Sequence, residues 1–138
     1  FEAGTQNFAS AATLKPAIKL LNLLNDKELN LYSEGIRDFI LQYLTADERI
    51  RLFGVPRGTS EEKIPLFSFA VNGVHHEDLA LILDKMGIAA RSGQMCAEPL
   101  MDRFGVTGML RISLAPYNTM EEAEYFVKCL DKAIDMLI

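Results

Sequence analysis

The chain has 138 residues, 49% of them hydrophobic and 24% charged, with a net charge of −5 and a pI of about 5.0. This is the composition of one globular domain with a sizeable core, and its acidic balance argues against a nucleic-acid or anionic-membrane surface, both of which need clustered Lys and Arg. No apolar run approaches the ~20 residues of a membrane span, and two cysteines without framework spacing read as free thiols of a reducing compartment, by default the cytoplasm.

The opening "FEAGTQNFAS" has no initiator Met and reads as the end of an extended segment, so a piece of a longer chain is expected. From Ala9 to Asn25, Ile18, Leu21 and Leu24 fall at helical spacing, with Pro16 as a candidate kink. Asp26 is placed as the N-cap of a second helix reaching about Thr45, whose Leu29, Tyr32, Ile36, Phe39, Ile40 and Tyr43 line one face. The period then changes to two. "RIRLF" alternates Ile50 and Leu52 against Arg49, Arg51 and Phe53, as a half-buried strand does. "VPRGTSEEK" is a polar loop, and "IPLFSFAV" is a strand with Phe67, Phe69 and Val71 on one face.

A helix from His76 to about Met86 turns Leu79, Ile82, Leu83 and Met86 inward and stops at Gly87. "IAAR" is a short strand that points Ile88 and Ala90 one way and Ala89 and Arg91 the other. "CAEPLMDRFG" makes one or two helical turns closed by Gly105. "MLRISLA" is the last strand, with Leu110, Ile112 and Leu114 inward and Arg111 and Ser113 outward. "TMEE" from Thr119 is a capping box, and the helix behind it buries Ala123, Phe126, Val127, Leu130, Ala133, Ile134 and Leu137. The expected class is α+β: a small, mostly antiparallel sheet with helices packed on one face, preceded by a connecting helix.

Chemistry concentrates at one thiol. Cys129 sits at the edge of the last helix's apolar stripe, the place of a small buried hydrophobe. Cys96 lies between Gly93 and Pro99, where a loop runs into a helix, and unpaired N–H groups there favour a thiolate. Arg91 and Arg111 point to the same side of the sheet if their strands are neighbours, and a guanidinium fork suits a carboxylate or phosphate. Outward arginines are ordinarily just solvated, so both readings stand on the pattern alone. His75 and His76 beside Glu77 and Asp78 read as helix-start residues rather than a metal cage. Neither a GxGxxG nor a Walker pattern occurs.

Three stretches, in order, carry a resemblance: "FEAGTQN", "IAARSGQMCAEPLM" and "RISLAPYNTMEEAEYFV". They resemble the C-terminal part of Suf-type cysteine desulfurases, pyridoxal-phosphate enzymes of the class V aminotransferase family related to selenocysteine lyases. The resemblance implies that Cys96 is the catalytic thiol, which takes sulfur from L-cysteine (or selenium from selenocysteine) as a persulfide and leaves L-alanine. It implies that Arg111 clamps the substrate carboxylate, that Arg91 is a second active-site arginine, and that Thr5 reaches the cofactor phosphate of the partner subunit in a homodimer. A sulfur-acceptor protein is the implied further partner.

Relatives often carry a His pair where this chain has Gln94 and Met95, and a proline where Gln6 stands. The family's cofactor lysine follows a Ser-x-His, a context that none of Lys15, Lys19, Lys27, Lys63, Lys85, Lys128 and Lys132 has. The cofactor domain is therefore expected upstream, with residues 1–25 as the connecting segment and 26–138 as the C-terminal small domain. A cofactor-free persulfide carrier and a non-catalytic binding module are the alternatives.

Overall fold

The computed structural model describes residues 4–25, 27–54 and 63–138. The expected cap Asp26 and the loop 55–62 lie outside the described residues. Helix α1 spans Phe8–Leu24 as one element through Pro16, opened by Asn7, whose side chain accepts from the Ser10 N–H. It buries none of its side chains. Helix α2 (Lys27–Ala46) follows, then strands β1 (Ile50–Phe53) and β2 (Leu66–Val71), helix α3 (His76–Lys85), strand β3 (Arg91–Gly93), helix α4 (Glu98–Phe104), strand β4 (Met109–Ser113) and helix α5 (Met120–Leu137). The four strands form one antiparallel sheet in the order β1-β2-β4-β3.

Alternation decides which face is covered. Phe67, Phe69 and Val71 of β2 and Leu110 and Ile112 of β4 point to one side and are buried. Against them pack Ile36, Ile40 and Leu44 of α2, Leu79 and Leu83 of α3, and Ala123, Phe126, Leu130, Ala133 and Ile134 of α5. Each of these larger side chains contributes about 1.5–3 kcal/mol by leaving water. Tyr32, expected on the buried face of α2, is 43% exposed, and its hydroxyl accepts from the Met120 N–H instead. Leu44 takes the buried place one turn beyond Ile40.

The capping box of α5 is complete. The Thr119 hydroxyl accepts from the Glu122 N–H, and the Glu122 carboxylate accepts from the Thr119 N–H. Arg49 ties the start of β1 to α5, donating to Asp47 at 2.7 Å, Asp131 at 3.1 Å and Asp135 at 2.8 Å.

The third strand lies later than the period implied. Ile88 donates its N–H to Leu83 O and Gly87 donates to Asp84 O, so the residues after α3 close that helix instead of joining the sheet. Pairing with β4 begins only at Arg91 and ends at Gly93 opposite Met109. Phe53 does alternate with Ile50 and Leu52, but it is buried too, because α4 lies over the second face of the sheet. Three helices thus cover one face, and the short α4 covers part of the other.

His76 fixes the approach to β4. It is buried at the first position of α3, and a Cβ on Gly108 would fall on its imidazole ring. Gly108→Ala should therefore lower stability by about 1–3 kcal/mol, as overpacking does. Chemical denaturation of Gly108→Ala in a His76→Ala background should show a much smaller loss, and equal losses in both backgrounds would remove the contact from the account.

The imidazole also makes stability depend on pH. Burial holds its pKa below the usual 6.5, so the folded state favours the neutral ring and the unfolded chain takes up the proton first. Stability from this group is complete above about pH 6.5 and declines as pH falls from there toward the folded-state value. Thermal unfolding midpoints between pH 7 and pH 5.5 should fall in the wild type and fall less in His76→Leu.

Candidate active site

The sheet's second face carries the candidate chemistry. Register places Phe53 opposite Ser68, Ser68 opposite Arg111, and Arg111 opposite Arg91, so these four residues form one row across all four strands. At the β1 end the row is apolar. Phe53, Met101 and Met109 are buried together with Ala70, Phe104 and Val106 packed around them, and the Phe53 and Phe104 rings lie 4.9 Å apart. Arg51 lays its guanidinium 4.7 Å above the Phe53 ring. At the β3 end the row is cationic.

Arg91 and Arg111 are direct cross-strand partners, an arrangement that is unfavourable for like charges. Neither has an ion-pair partner among the described residues, whose ion pairs belong to Arg37 and Arg49. Arg91 is exposed, whereas Arg111 is half-buried. The Arg111 Nε–H is shielded from water and donates to nothing among the described residues. A buried donor without an acceptor costs about 1–3 kcal/mol. An anion lying against the pair would remove both penalties.

A cavity of about 390 Å³ opens beside Arg111, walled by Phe53, Ser68, Leu100, Phe104, Met95 and Ala97 among others. Its rim is the turn from Gln94 to Ala97, closed by the Ala97 N–H on Gln94 O at 2.9 Å. Both central residues are left-handed, Met95 at φ 58° and Cys96 at φ 60°, as in a type I′ turn. Cys96 is a free, exposed thiol at the tip, just before Ala97, the N-cap of α4. That cap residue makes no side-chain hydrogen bond, and Gly105 ends the helix in the left-handed conformation at φ 68°. Met95 and Ala97 line the cavity, while Cys96 between them does not.

The two arginines are thus brought together, and the thiol stands at the lip of the cavity that Arg111 lines. Thr5 stands apart: it is exposed just ahead of α1 and does not line the cavity. Cys129 is buried in α5. His75 caps α3, accepting from the Glu77 N–H, and no metal-holding cluster of three His, Cys, Asp or Glu exists among the described residues. No helix of the described residues is long and apolar enough to cross a membrane. Sequence reasoning missed Ser68 and Phe53 as neighbours of Arg111. Alternation puts both on its face, but only the strand order reveals that they share its row.

Known proteins resemble the chain along its whole length. A probable cysteine desulfurase of Vibrio cholerae is 39% identical over 99% of the chain, and the cysteine desulfurase CsdA of Escherichia coli is 35% identical over 99%. In each case the chain spans about a third of the relative's length. Among solved structures, that of the Escherichia coli CsdA (S-sulfonic acid) superposes with a TM-score of 0.81 at 34% identity, covering 100% of this chain and 33% of that one. The apo cysteine desulfurase of Thermococcus onnurineus NA1 gives a TM-score of 0.86 at 31% identity, covering 99% of this chain and 34% of that one. The profile of the Aminotransferase class-V family matches residues 1–126, and the chain belongs to that family.

Proposed function

We propose that the chain is the arginine- and thiol-bearing third of a cysteine desulfurase. The observation that carries this reading is the directly opposed Arg91–Arg111 pair, with one buried, unsatisfied donor, beside an exposed cysteine held in left-handed backbone. In this reading Arg111 receives the α-carboxylate of L-cysteine through its unpaired Nε–H, and Arg91 adds charge from the neighbouring strand. The Cys96 thiolate attacks the substrate sulfur. The Cys96 S–S bond forms as the substrate C–S bond breaks, and the carbon left behind takes a proton to give L-alanine.

Pyridoxal phosphate, when bound, supplies the electron sink that loosens that C–S bond. The arginine pair fits a carboxylate substrate of such a cofactor, and Thr5 is the residue of this chain proposed to meet its phosphate, across a homodimer. The lysine that holds it is assigned to sequence upstream. A sulfur-acceptor protein would then discharge the persulfide at the exposed turn. The exposure of Cys96 and its absence from the cavity lining also favour a second reading, a persulfide carrier with no carboxylate site.

Exposure separates the two thiols, since Cys96 is open to solvent while Cys129 is 6% exposed in the core. Brief iodoacetamide treatment of the folded chain, read by peptide mass, should modify Cys96 well before Cys129. Equal rates would show that the turn is closed in solution.

Activity in the full-length protein distinguishes the two readings. Cys96→Ala should bring alanine and sulfide production from L-cysteine to background. Arg111→Ala should raise the half-saturating cysteine concentration by about ten- to a hundredfold, the equivalent of about 1.5–3 kcal/mol for a lost charge-assisted bond. A carrier would accept sulfur from a donor persulfide equally well in wild type and Arg111→Ala. Normal desulfurase activity in Cys96→Ala would end the nucleophile assignment.

A further inference from the structure

Met95 and Cys96 are the two non-glycine residues at positive φ among the described residues, and they are adjacent. Left-handed backbone costs a side-chain-bearing residue about 1 kcal/mol or more, so something must hold the turn. One hydrogen bond closes it, from the Ala97 N–H to Gln94 O. The other anchor is Met95 itself, which is half-buried and lines the Arg111 cavity. Residues 95 and 97 face this cavity and residue 96 is exposed, so the seat of Met95 and the outward direction of the thiol belong to one conformation.

Resting on the carboxylate reading of Arg111, we propose that Met95 is the positioning residue that holds the Cys96 thiol outward. A carboxylate entering the Arg111 cavity competes with Met95 for that space and lets the thiol turn in. The exchange is chemically one-sided. A thioether is a weak acceptor and leaves the buried Arg111 Nε–H without a partner, whereas a carboxylate satisfies it with a charge-assisted bond. Methionine is also unbranched and flexible enough to vacate a site at little cost. The thiol then has two stations, inward to take sulfur and outward to pass it on, and Met95 sets the resting one.

The test uses the full-length protein and the rate at which iodoacetamide labels Cys96 without substrate. Met95→Ala should label severalfold more slowly than wild type, because nothing holds the thiol outward. Met95→Gly, which also removes the positive-φ cost at that residue and so favours the outward turn, should slow it less than Met95→Ala does, and Met95→Leu, of similar bulk, should keep the wild-type rate. Saturating L-alanine, a carboxylate without sulfur, should slow labelling of the wild type and change Met95→Ala little. A merely structural Met95 would loosen the turn when truncated and speed labelling. Unchanged or faster labelling in Met95→Ala overturns the inference, as does a wild type indifferent to L-alanine. Because labelling needs no turnover, such a result leaves the desulfurase reading to the activity of Cys96→Ala, which decides it separately.

Discussion

The pairing of β2 with β4 is the constraint on which the other features depend. Phe67 opposite Ile112 and Phe69 opposite Leu110 put four apolar side chains on one face at the centre of the sheet. Phe67, Phe69 and Leu110 are fully buried. Because side chains alternate strictly along a strand, a slip of one residue would drive Arg111 into the core and Leu110 into water. Burial of a lone guanidinium is far more costly than loss of one hydrophobic contact. The packing of α2, α3 and α5 therefore also fixes where the cationic end of the opposite face lies.

That opposite face is built with less margin. It has no long helix, only the two turns of α4, and its apolar cluster rests on Phe53, Met101 and Met109. The polarity of the row changes within four strands, from a phenyl ring to two guanidinium groups. A cavity at such a boundary offers an apolar wall and a few polar groups, Arg111, Ser68 and Lys63, the composition of sites that orient small anionic ligands.

Much of this was legible from hydrophobic periodicity, and the exceptions share a cause. Helices α2, α3 and α5 and strand β2 bury one face each, and β4 buries Leu110 and Ile112 on the same side, so their patterns carried through to the structure. The same alternation put Arg91 and Arg111 on one side of the sheet, where the register makes them partners. Where a residue answers to a different neighbour, period alone misleads. Ile88 looked like the start of a strand, but its N–H is taken by the end of α3. Phe53 looked solvent-facing beside Arg51, but α4 covers it. Helix α1 has a helical apolar pattern and none of its side chains buried, because periodicity reports a helix and not its cover. The left-handed pair at Met95 and Cys96 left no trace in composition, since neither is a residue that seeks that backbone.

The short outer strands have a consequence for how molecules of this kind behave in crowded solution. The sheet ends in β1 on one side and β3 on the other, four and three residues long. An open strand edge is a template on which another chain can add its own strand, and the hazard grows with the length and apolar character of the edge. Here β1 carries Arg51 and β3 carries Arg91, both exposed. A second copy docking strand to strand would set like charges against each other over a ladder of only a few bonds. The Arg91 guanidinium, cross-strand partner of Arg111, thus also guards the β3 edge against strand addition.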